Sequence, residues 1–145
     1  MKRFSFRLQN VLKWRLLQLE LEEAQLERLF GGLRSLEAQQ AALEAGKTEA
    51  ERSVLGAETV EAHELAALDA HRRWVAAQQA LLARQVVEHN ARIAAQKERV
   101  RKAEQNLKLL EKLKERRLSE WSAAVEKEYQ ALAEETFLAQ WQREA

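Results

Sequence analysis

Any chemistry in this chain would have to come from three histidines and a scatter of carboxylates, amines and hydroxyls, because there is no cysteine. His63 and His71 stand eight residues apart, a spacing that can share one helix face. No carboxylate pattern accompanies them, and no Glu-x-x-His pair of the kind that builds a di-iron bundle occurs. The glycines, Gly31-Gly32, Gly46 and Gly56, fit neither a Walker nor a dinucleotide-binding loop. Hydroxyl or amine nucleophiles need a pocket that excludes water and holds a substrate. These residues predict no catalytic residue, no metal site, no cofactor and no small-molecule substrate, so the chain reads as a non-enzyme.

The elements that carry these side chains explain the lack of a pocket. From about Thr59 to Trp141 there is no proline or glycine. Leu65, Val86, Ile93, Val100, Leu107 and Trp121 lie at multiples of seven from one another, and a second row runs Leu68, Val75, Leu82, His89, Gln96, Ala103, Leu110. Two such rows form one apolar stripe on a helix, the seam of a coiled coil. His89 falls in that seam, where a core or register-setting role is the expectation. In the first half Leu12, Leu19, Leu26 and Leu33 repeat every seven residues, flanked by Leu8, Leu16, Leu29, Phe30, Leu36 and Leu43. A helix with such a seam is stabilised mainly by a partner that covers it.

The spacing therefore predicts an all-α fold: a long antiparallel two-helix coiled-coil hairpin, the second helix longer than the first. It predicts one domain over 1–145, with helix 1 at about 5–45, a tip at about 46–59 and helix 2 at about 60–142. Ser5 is the expected cap of the first helix and Thr59 of the second, while Thr48 and Glu51 have capping-box spacing in the tip. Gly31-Gly32 either bends the first helix or ends it, and a bend fits the unbroken phase of Leu26, Leu33, Leu36 and Leu43. Folding about Gly56 pairs Leu12 with Val100, Leu19 with Ile93, Leu26 with Val86, and Leu43 with Asp69 beside Leu68. From about Leu110 the second helix then overhangs. Its stripe of Leu118, Trp121, Val125, Tyr129, Leu132, Phe137, Leu138 and Trp141 would fold back, self-associate, lie against Phe4 and Phe6, or dock on another protein.

Among 145 residues 32% are charged, yet the formal net charge is +1. No whole-chain field favours nucleic acid. The charges are nonetheless segregated: Lys2, Arg3, Arg7, Lys13 and Arg15 meet no acid before Glu20. With the turn at Gly56, Arg99 and Arg101 would join them to make one end basic. No apolar run is long enough for a membrane span, and the helical pattern continuing through the basic start argues against a cleaved leader.

The opening Phe4-Ser5-Phe6-Arg7-Leu8-Gln9-Asn10-Val11-Leu12 resembles the F-x-F-R-L-Q-x-V-L start of the FliJ family of flagellar export proteins. Residues 107–135 are similar to that family's C-terminal part, a basic block followed by an acidic end after Trp121 and Tyr129, with Glu134-Glu135 where members often carry Asp-Glu. The resemblance implies a cytoplasmic component of the flagellar type III export apparatus, peripheral to the inner membrane at the flagellar base and serving motility. It implies a non-catalytic stalk that binds the hexameric export ATPase, contacts the export-gate membrane protein and escorts export chaperones. On that frame Arg3, Phe4, Phe6, Arg7, Leu8, Arg15, Trp121 and Tyr129 are the candidate ATPase-binding residues. Trp74, Val75 and Gln78 are the candidate gate-binding residues. A membrane-surface helix at Arg3–Leu19, which includes Trp14, and a homodimeric coiled-coil scaffold are the alternatives.

Overall fold

The computed structural model describes residues 2–144. It contains two helices, α1 (Gln9–Leu55) and α2 (Ala62–Glu144), packed on each other as a hairpin whose second arm is the longer. Contacts divide the chain into two compact units, Leu21–Val100 and Met1–Glu20 with Arg101–Ala145.

In the Leu21–Val100 unit the seam is narrow. Leu68, Val75, Leu82 and Ile93 of α2 are buried, joined by one polar residue, Gln96. Facing them, Leu26, Leu29, Leu33, Leu36, Leu43, Ala50 and Val54 of α1 are only half-buried, because one neighbouring helix covers one side of a cylinder and no more. The heptad row from Leu68 to Ala103 supplies most of the buried set, as its seven-residue spacing predicts. The companion row holds only from Val86 onward. Leu65 is exposed, and toward the turn Glu64, His71 and Gln78, a phase one residue earlier, are half-buried, with Gln79 beside Gln78 half-buried as well.

The turn is shorter and later than the sequence suggests, and neither expected cap starts a helix. The first helix passes straight through Gly46, since half-buried seam positions at Lys47, Ala50 and Val54 continue beyond it. Packing on both sides outweighs a helix penalty of about 1 kcal/mol for one glycine. Thr48 is mid-helix, its hydroxyl donating to the Glu44 carbonyl at 3.0 Å, so the Thr48–Glu51 box does not form. The helix stops at Gly56, whose N–H donates to the Arg52 carbonyl at 3.0 Å. A Cβ there would lie 2.6 Å from that same oxygen, which accounts for glycine at the stop. The second helix begins beyond Thr59. Glu61 offers its carbonyl to the N–H groups of Glu64 and Leu65 at 3.1 and 3.2 Å. The Glu64 carboxylate reaches back to accept from the Glu61 N–H at 3.5 Å, the return arm of a capping box.

Moving the turn moves the register. Folding about Gly56 would set Leu29 near Ala83, yet its carbonyl meets His89, Nε2 to oxygen 2.6 Å. One heptad away the buried Gln96 amide donates to the Glu22 carbonyl at 3.0 Å and to the Glu22 carboxylate. On the flanks Gln79 donates to Glu44 at 2.8 Å, and Arg72 pairs with Glu51 at 3.0 Å. The proposed pair of Leu26 with Val86 is thus displaced by nearly two helical turns.

These contacts also explain the glycine pair. Gly31-Gly32 does not end α1, and neither glycine has a positive φ. A Cβ on Gly32 would fall 2.7 Å from His89 Cε1 and Nε2, so Gly32 leaves room for the imidazole of the opposite arm. At Gly31 an added Cβ meets only Arg34 at 3.8 Å, and at Gly46 it meets nothing within 4 Å. Gly46→Ala should therefore raise stability by about 0.5–1 kcal/mol in urea unfolding. Gly32→Ala should lower it by about 1–3 kcal/mol despite the better helix former, because the ring is displaced and its hydrogen bond strained.

Candidate functional site

The unit formed by Met1–Glu20 and Arg101–Ala145 holds an open concave surface between the start of the chain and α2. Residues 2–8 precede α1 as non-helical chain. Leu8, rather than Ser5, ends this segment: its carbonyl accepts from Leu12 N–H at 2.9 Å, opening the helical ladder, while Phe6 accepts from Gln9 at 3.0 Å. Two contacts fasten the segment to α2. The Trp121 indole N–H donates to the Lys2 carbonyl at 3.1 Å. The Phe4 ring packs on the same indole, centroids 5.9 Å apart and tilted by 56°, a geometry favoured by aromatic quadrupoles.

Between segment and helix lies an open groove of about 770 Å³, lined by residues 2–8 with Leu113, Arg117 and Trp121. Its apolar side chains are Phe4, Phe6, Leu8, Leu113 and Trp121. Lys2, Arg3, Arg7 and Arg117 are its cations, and no acid lines it. Arg117 also approaches Glu120 at 3.5 Å, an exposed pair of little energetic weight. Such a surface suits an acidic segment that also presents apolar side chains.

Of the sequence-derived set, Arg3, Phe4, Phe6, Arg7, Leu8 and Trp121 come together here. Arg15 does not line the groove; it is half-buried, its guanidinium 4.9 Å over the Trp14 ring. Tyr129 does not line it either and is exposed two turns further along α2. Leu113 and Arg117 were missed because a turn at Gly56 sets residues 2–8 against 104–110 rather than against 113–121, and Lys2, read only as part of the basic start, joins them. For the same reason the second arm is engaged as far as Trp121 and Val125, well past Leu110, and the exposed stretch begins at Glu126. Contact with Phe4, one of the outcomes expected for the overhang, is realised by Trp121. Tyr129, Leu132, Phe137, Leu138 and Trp141 remain exposed.

In the other unit the three candidate gate residues separate. Trp74 is 54% exposed and stacks on His71 with ring centroids 6.0 Å apart. Val75 is 1% exposed, a seam residue with no surface to offer, so its assignment to a binding face is corrected. Gln78 is half-buried and shares a shallow hollow with Gln39, Ala42 and Leu43. His71 Nε2 is buried without a hydrogen-bond partner, and His63 sits 3.0 Å from Glu61. No group of three His, Cys, Asp or Glu among the described residues could hold a metal ion. No helix among them is long and apolar enough to cross a membrane.

Compared with models of known protein families, with curated proteins and with solved structures, the chain matches none.

The clasp at Trp121 has a measurable consequence. Trp121→Ala removes both the ring contact and the hydrogen bond, and should speed amide hydrogen exchange at Gln9 and Leu12, whose N–H groups donate to the Phe6 and Leu8 carbonyls of the clasped segment, by tenfold or more, for a loss of roughly 1.5–2 kcal/mol. Trp121→Phe keeps a ring without the donor and should give about a fivefold increase, the share of one hydrogen bond near 1 kcal/mol.

Proposed function

We propose that this protein is a non-catalytic stalk-like adaptor of a flagellar type III export apparatus. On this reading it binds a hexameric export ATPase through the unit holding its first residues, contacts an export-gate membrane protein, and escorts export chaperones. The observation that carries the proposal is the groove at Phe4-Ser5-Phe6-Arg7-Leu8. The stretch that resembles the FliJ opening starts in the non-helical residues before α1, and these are fastened against Trp121 of the second arm. On this reading the two-helix hairpin is the part that enters the ring of subunits. Its cations and aromatic rings are the chemistry that recognises acidic, partly apolar partner segments.

The contact with the gate is assigned to Trp74, which presents its ring outward. Val75 is excluded from that contact by burial, and Gln78 contributes through its exposed part. The site would lie in the cytoplasm at the membrane-associated base of the flagellum.

The test is reconstitution with a purified flagellar export ATPase. Arg3→Glu with Arg7→Glu should weaken capture of the ATPase at least tenfold while leaving helix content unchanged, since both side chains are exposed and outside the seam. Trp74→Ala should leave ATPase capture intact and reduce capture of the gate's cytoplasmic domain. Equal ATPase capture by wild type and the double variant would remove the groove from this function.

A further inference from the structure

The first turns of α1 carry a second surface, distinct from the groove and not used by the adaptor reading. Val11, Trp14 and Leu17 follow one another at three-residue spacing and so share a side of the helix. That side lies about a third of a turn from the seam residues Leu8, Leu12, Arg15 and Leu19. All three outward residues are exposed, Trp14 and Leu17 at 53% each. Apolar side chains facing away from the partner helix do nothing for the hairpin.

On α1 itself the charges beside this face are Lys13 and Arg15, both positive, and the helix carries no acid before Glu20. Arg15 lies with its guanidinium 4.9 Å over the Trp14 indole, so a cation sits on the face of the ring. A tryptophan and aliphatic side chains bordered by lysine and arginine are the composition of a helix that lies in the headgroup region of a bilayer. There the indole and alkyl groups enter the acyl boundary and the cations meet anionic headgroups.

We infer that this face is a binding surface for anionic lipid, by which the protein lies on a membrane without crossing it. The competing occupant is a second copy of this chain. Its exposed stretch from Glu126 to Glu144 carries Glu126, Glu128, Glu134 and Glu135 with Tyr129, Phe137 and Trp141. The lipid surface is preferred because the α1 face is short and presents a single ring, as an interfacial anchor does. A helix–helix contact would call for a longer apolar stripe.

The experiment is flotation of the full-length protein with vesicles of phosphatidylcholine containing phosphatidylglycerol, against vesicles of phosphatidylcholine alone. Binding to the anionic vesicles, weakened by added salt, is expected. Trp14→Ala with Leu17→Gln should reduce it tenfold or more, and Lys13→Glu by several-fold, each cation near an anionic surface counting about fivefold. Circular dichroism of each variant should stay as in the wild type, because these side chains lie outside the seam. Sedimentation equilibrium on the same samples covers the other occupant. A dimer that dissociates on Trp14→Ala with Leu17→Gln would overturn the proposal in favour of self-association. Absence of flotation, or flotation unchanged by that double variant, would overturn it outright. Neither outcome touches the ATPase contact, which rests on Arg3 and Arg7 in the groove.

Discussion

The register of the hairpin depends on two polar residues of the seam that reach the backbone of the opposite arm. Gln96 is buried, and His89 half-buried, one heptad apart on α2. Each reaches a backbone carbonyl of α1, Glu22 for Gln96 and Leu29 for His89. Buried or partly buried donors left without partners are expensive, whereas leucine faces leucine almost as well after a shift of seven residues. Polar seam residues therefore choose among registers that apolar packing alone leaves nearly equal in energy, the role best attested for such residues in coiled coils. Gly32 completes the arrangement, because only a residue without a Cβ leaves room for the His89 ring.

The groove is built within the unit of Met1–Glu20 and Arg101–Ala145. There the non-helical residues 2–8 lie against Leu113, Arg117 and Trp121, and the Trp121 indole holds them by its hydrogen bond to the Lys2 carbonyl and its contact with the Phe4 ring. The residues that fix the seam at His89 and Gln96 are separate from those that line the groove.

The heptad rows made the all-α hairpin and its longer second arm legible, because seven-residue spacing is a direct consequence of helix geometry. His89 was legible as a register-setting residue, but its partner was not. Glycine in a leucine-rich helix reads as a bend or a stop, and the need for space opposite a ring is a tertiary fact carried by neither helix alone. The turn was misplaced for a related reason. Gly46 looked like a boundary, and only packing at Lys47, Ala50 and Val54 keeps the helix going past it. That error propagated into the register and hid Arg117 and Leu113 from the candidate site. Val75 failed as a surface residue on simpler grounds, since it belongs to the same seam row that predicted the fold.

The central claim is that the arms meet with Leu29 at His89, and spin-label distances test it directly. Ser35 and Gln85 line one hollow, whereas Gln78 lies one heptad earlier on α2 and lines another with Gln39. Labels on Ser35→Cys with Gln85→Cys should be closer than labels on Ser35→Cys with Gln78→Cys, positions 78 and 85 being about 10 Å apart along a helix. The reverse order, with Ser35 nearer to position 78, would mean that the arms pair about Gly56 after all and would contradict the account.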